Sequence, residues 1–176
     1  PVESPADLKG LKIRTQDSPT SIEMIRNMGG AATPMSSGEV YTSLQQGIID
    51  GAENNETVLV DDGHGEVAKS YTYTQHQYTP DIVIISTKTW ESMSEQDRDA
   101  WISKISLENL ESFWKHEEKW QEIVERNIQG AKEAGVQFYE IDKTPFIQAV
   151  KSQHDAFCAE SGDNARYLAD FLSYAE

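Results

Sequence analysis

Apolar positions over residues 11–52 switch repeatedly between two periods. Leu11 and Ile13 alternate with Lys12 and Arg14, the two-residue period of a half-buried strand. That alternation sends Arg14 away from the core, at the strand's carboxyl end. Ile22, Ile25 and Met28 then take the spacing of one helical face. Ser18-Pro19 supplies the N-cap and first position of this helix, and Gly29-Gly30 stops it. Ala31 to Met35 predicts a second short strand. Val40, Tyr41, Leu44 and Ile48 return to helical spacing, with Glu39 in the first turn, where a negative charge suits the positive helix end. Gly47 stands where a left-handed residue ends a helix. Ile48-Ile49 predicts a short buried strand, closed by an Asp50-Gly51 turn and followed by Glu53-Asn54-Asn55. Strand, helix, strand, helix, strand in this order argues for a parallel sheet. The polar cluster then falls at the mouth of the sheet, where open α/β folds bind small ligands.

Farther on, a polar stretch around Asp61-Asp62-Gly63-His64-Gly65 leads to a short helix ending at Lys69. Ser70 to Gln77, rich in Tyr and Thr, predicts a strand. Ile82 to Ile85, an apolar run without alternation, predicts a buried one. A change of lobe is placed near Thr79-Pro80. Ser94 and Asp97 resemble a capping box. A long helical region follows, with Leu110, Phe113, Trp114, Trp120, Val124, Ile128 and Ala131 as its apolar stripe and Gly135 as its stop. Val136, Phe138 and Ile141 fit a further strand. Thr144-Pro145 opens the next helix with Thr144 as N-cap, and Asp163 to Glu176 predicts a last amphipathic helix.

Composition narrows the function. The chain has 176 residues, enough for one ordinary domain or two small lobes, and a formal net charge of -15. Such acidity argues against nucleic acid or an anionic membrane face as partner. The one cysteine, Cys158, follows an apolar run and is expected to be buried. No apolar run reaches the ~18 residues of a membrane span. No phosphate-binding loop, dinucleotide fingerprint or nucleophile elbow is present, no cofactor is indicated, and His64, His116 and His154 lack metal-ligand spacing.

The stretch GEVYTSLQQGIIDGAENN, with DLKGLKIR upstream and Glu66-Val67-Ala68-Lys69, Thr74-Gln75-His76 and Ser86 through Asp97 downstream, resembles the extracytoplasmic solute-binding proteins of TRAP transporters, the DctP-type family. The resemblance implies a periplasmic protein with a two-lobe α/β fold of the type II periplasmic-binding-protein kind. Members are roughly twice this length, so the resemblance further implies that the N-terminal half is absent here. Residues 1–79 with about 120–176 would form most of one lobe; about 80–119 would belong to the second lobe and to a long helix bracing the hinge. The implied activity is capture of an organic acid and its presentation to membrane subunits, not catalysis.

Site residues follow from that resemblance. Arg14 occupies the family's carboxylate-binding position, and a guanidinium fork matches a carboxylate two-prongedly. Asn54 takes a ligand-facing position; its amide can both donate and accept. Asn55 stands where dicarboxylate and sialic-acid binders carry proline, which points to the branch taking glucuronate or galacturonate. Gln16, just past Arg14, Ser37, where some relatives carry an aromatic, and His76, beside the presumed cleft, complete the set. Glu53 is expected to be structural. Alternatives are a C4-dicarboxylate binder, a ligand sensor, or an enzyme acting on sugar acids.

Overall fold

A computed structural model describes residues 1–78, 84–105 and 110–172, the side chains of 105, 110–116 and 171–172 excepted. A 3-10 turn, Pro5–Leu8, leads into β1 (Lys12–Thr15), α1 (Pro19–Asn27), β2 (Ala31–Pro34), α2 (Ser37–Gln45) and β3 (Gly51–Ala52). Both neighbours of β1 run parallel to it, in the order β2-β1-β3. Thus the predicted strand and helix alternation closes into a parallel sheet with β1 at its centre.

Two local expectations change. The alternation in β1 breaks at Arg14: Ile13, Arg14 and Thr15 are all buried. Lys12 keeps its outward, exposed place, but Arg14 on the same face is buried, with its Nε donating to the Met35 carbonyl. The third strand also lies later than Ile48-Ile49. Ile49 is buried but Ile48 is 51% exposed. The cause is the helix stop. Gly47, at φ +68°, donates to the Leu44 carbonyl, while Ile48 donates to the Ser43 carbonyl. This Schellman closure consumes Ile48 in the stop itself and leaves Ile49 as the inward residue. Asp50 does not end a strand. Its carboxylate accepts from the Lys12 amide (2.8 Å) and its own amide donates to the Lys12 carbonyl (2.9 Å), so it opens the ladder that Gly51 continues.

The chain continues through α3 (Val58–Asp61), α4 (His64–Val67), β4 (Ser70–Tyr73), α5 (Thr87–Ser92), α6 (Glu95–Ile105) and α7 (Leu110–Glu133). It ends with β5 (Gln137–Glu140), α8 (Thr144–Ala149), α9 (Lys151–Glu160) and α10 (Gly162–Leu172). β4 and β5 form a second, two-stranded parallel sheet. The Ser94 hydroxyl caps α6 by accepting from the Asp97 amide (3.1 Å). Thr144 is the first residue of α8 rather than its cap, which is Lys143; before it the Asp142 carboxylate accepts from the Thr144 amide (2.9 Å) and is held below the usual carboxylate range by hydrogen bonds from Thr144. The predicted strand Ile82–Ile85 is not found where it can be judged. Ile84 is 87% exposed and outside any strand, and residues 82 and 83 lie outside the described residues. The predicted change of lobe at Thr79-Pro80 lies outside them as well, as do the side chains of Leu110, Phe113 and Trp114. Trp120 departs from the predicted stripe and is 44% exposed.

Two clusters hold the described structure. Leu8, Ile13, Met24, Ile25 and Met28 pack with Phe146 and Val150, so α8 returns from the far end of the chain to cover the first sheet. Leu59, Ala131 and Val136 join α3 to α7 and the start of β5, with Tyr71 and Phe138 alongside. Cys158 is only half-buried, because α9 presents a single covered side.

Candidate functional site

The carboxyl end of β1 opens on a pocket of about 470 Å³, within the roughly 300–1,000 Å³ range of small-molecule clefts. Its lining is Arg14, Gln16, Asp17, Pro34, Met35 and Ser36. Two turns shape it. The Ser18 amide donates to the Gln16 carbonyl (2.8 Å), which turns the chain sharply after β1. On the facing lip, Ser36 caps α2. Its amide (3.1 Å) and hydroxyl (2.5 Å) both donate to the Glu39 carboxylate, a reciprocal cap that holds Glu39 below its usual range. Glu39 therefore does more than complement the helix dipole: it fixes one wall of the pocket.

Arg14 is the chemically distinctive member. It is 5% exposed, and its Nε donates to the Met35 carbonyl (3.1 Å). Among the described residues no carboxylate pairs with it. A buried cation without a counter-charge costs several kcal/mol. The remaining guanidinium donors face a pocket that can supply an anion. Close by, His64 opens α4 and is 5% exposed. Burial pushes its imidazole below the ordinary histidine value, the Asp62 charge opposes this, and the Arg14 charge pushes it further down. His64 was not legible in this way from the sequence; α4, which it opens, packs on α2.

The loop after β3 stays in register with Arg14. The Glu53 amide donates to the Arg14 carbonyl (3.4 Å). Asn54 and Asn55 follow, both exposed. The Asn54 side-chain oxygen accepts from the Asn55 amide (2.9 Å), and that of Asn55 accepts from the Thr57 amide (3.1 Å) and hydroxyl (2.7 Å). Both oxygens are thus engaged in turns ahead of α3. The Tyr71 hydroxyl donates to the Asn54 carbonyl (3.0 Å) and ties this loop to β4.

His76 is built into a corner. Its Nδ1 lies 2.5 Å from the Thr74 hydroxyl and its Nε2 3.8 Å from a Glu53 carboxylate oxygen. Between them Gln75 sits at φ +47°, and its side-chain oxygen accepts from Lys143 (2.6 Å). The structure thus brings Arg14 and Gln16 together in the pocket. It leaves Ser37 exposed just past the lip, and it places Asn54, Asn55 and His76 on adjoining loops outside the lining. Asp17 and Met35 are lining residues that sequence patterning did not mark.

Residues 1–161 match the family model for bacterial extracellular solute-binding protein, family 7 (DctP). The chain belongs to this family. A solute-binding protein of Chromohalobacter salexigens is 40% identical over 97% of the chain and 50% of its own length. Among solved structures, a TRAP periplasmic solute-binding protein from Anaerococcus prevotii with bound α/β-D-glucuronate superposes with a TM-score of 0.88 at 42% identity, covering 99% of this chain and 55% of that one. Another from Xanthobacter autotrophicus, with bound β-D-galacturonate, gives 0.80 at 34% identity over 89% of this chain and 51% of that one. Other relatives are named for binding 2,3-diketo-L-gulonate, sialic acid, ectoine or C4-dicarboxylates. The expected α/β fold is therefore that of this family, and the chain spans about half the length of the relatives it matches. These relatives are binding proteins rather than enzymes, and they are extracellular as a family. Among the described residues no helix is long and apolar enough to cross a membrane.

Proposed function

We propose that this chain is the C-terminal half of a periplasmic TRAP-type binding protein that captures a hexuronate, glucuronate or galacturonate, without transforming it. One observation carries the reading: a buried arginine without a carboxylate partner among the described residues faces an open pocket at the carboxyl end of the central strand. A ligand carboxylate supplies the missing charge, held by the guanidinium fork. Gln16 and Ser36 offer hydroxyl partners, and the Asn54 and Asn55 amides reach toward the same ligand when the second lobe closes over it. Ser37 and His76 take outer positions in that closed form. The uronate-bound relatives support this ligand class.

In the same reading residues 1–79 with about 120–176 form most of one lobe, and about 80–119 contribute to the other. The N-terminal half completes the cleft, and the closed form docks on membrane transporter subunits. Closure removes water and strengthens the ion pair. Titration calorimetry of the complete two-lobe protein with D-glucuronate, D-galacturonate, succinate and D-glucose tests the assignment. The uronates are expected to bind, D-glucose to fail for lack of a carboxylate, and each uronate to be recovered unchanged. Preference for succinate over both uronates would replace the ligand class.

A further inference from the structure

The pocket holds one charge that capture of a carboxylate does not use. Asp17 lines it together with Arg14, yet the two form no ion pair within 4.0 Å. Asp17 stands immediately before the cap of α1, close enough in sequence for its carboxylate to accept from the first amides. It does not do so here: Ser18 holds the cap position, Pro19 follows it, and no side chain caps the helix. Among the described residues no hydrogen bond engages its carboxylate either. With 30 acidic residues on the chain, an exposed aspartate by itself would mean little. This one shares an open pocket with a buried, unpartnered cation and sits one residue beyond Gln16, on a turn held by the Ser18 amide.

We infer that Asp17 is a specificity-determining residue, which accepts from a ligand hydroxyl and repels a second anionic group. The inference rests on the uronate reading of the pocket. A sugar acid carries one carboxylate and several hydroxyls. Its carboxylate answers Arg14, and a hydroxyl donates to Asp17, a charge-assisted bond. A diacid of the same skeleton has a carboxylate at both ends. Once one end is on Arg14, the other meets Asp17 in a site from which closure expels water, and like charges there are costly. Selection by a repulsive element is the ordinary way one site separates near-identical ligands.

Two ligands of one carbon skeleton test this: D-glucuronate, a cyclic hemiacetal, and D-glucarate, the open-chain diacid in which the aldehyde carbon is oxidised to a second carboxylate. Affinities are measured by calorimetry on the complete two-lobe protein and on its Asp17→Asn variant, with melting temperatures as a control for folding. The parent protein is expected to favour D-glucuronate by at least roughly tenfold. Asp17→Asn should weaken D-glucuronate and strengthen D-glucarate, moving the ratio by at least about fivefold. Opposite signs on the two ligands cannot come from a purely structural change. If the variant binds both ligands within about twofold of the parent, or the parent binds D-glucarate as tightly as D-glucuronate, the role of Asp17 is overturned while uronate capture stands. If the parent binds no uronate, the reading of the pocket falls and the role of Asp17 with it.

Discussion

Two corners of the structure lie on either side of the Arg14 strand and treat charge in opposite ways. At the pocket, Arg14 is buried with one carbonyl for company, and Asp17 stands nearby without joining it. At the other corner Glu53 and His76 lie 3.8 Å apart, their side chains 14% and 17% exposed, with Thr74 on the far imidazole nitrogen. The second corner sets a carboxylate opposite an imidazole and links the loop after β3 to the end of β4, although the buried His76 Nε2 makes no hydrogen bond. The first leaves opposite charges available. Burial alone does not separate a binding group from a structural one; the presence or absence of an internal partner does.

That contrast can be broken by mutation. Arg14→Ala should cost at least about 2 kcal/mol of ligand binding, roughly 30-fold, while the melting temperature holds or rises because an unpaired buried charge is gone. Calorimetry with thermal unfolding checks both halves, and equal loss of stability and affinity would erase the distinction. Arg14→Lys should bind less well than the parent but better than alanine, since a point charge keeps attraction without the fork. At the other corner, Glu53→Gln should lower stability by about 1 kcal/mol, read in urea, with a smaller effect on affinity. Tyr71→Phe should cost a similar or smaller amount by releasing the Asn54 carbonyl. Burial raises both Tyr71 and Tyr73, the latter to about 12, so neither ionises near neutral pH and Tyr71 keeps its donor.

The smallest effect is a pH dependence. Folded His64 lies below the ordinary histidine value, mainly through burial. Above about pH 6.5 it is neutral folded and unfolded alike. As pH falls below that value the unfolded chain takes up the proton first, so stability is lost until the folded imidazole also titrates. Urea midpoints at pH 7.5 and 5.5 should therefore differ less for His64→Gln than for the parent. A slope unaffected by the substitution would assign the pH dependence elsewhere.

Much of the fold was legible because local rules and the tertiary structure agree. Pro19 and Gly47 bound their helices as their chemistry dictates, and the element order implied a parallel sheet. What failed had non-local causes. The two-residue pattern of β1 could not show that Arg14 is buried while Lys12 on the same face is exposed. The strand expected at Ile48-Ile49 moved because a helix stop and a strand start competed for the same residues. The Arg14 position was visible through family resemblance and Gln16 through its adjacency. Asp17 and Met35 were not, since each reaches the site through a turn rather than a motif.

The most direct test of the account is a crystal structure of the complete two-lobe protein with D-glucuronate. The account predicts the ligand carboxylate on the Arg14 guanidinium, held by two hydrogen bonds. A uronate bound with its carboxylate on another residue, and Arg14 still alone with the Met35 carbonyl, would contradict it.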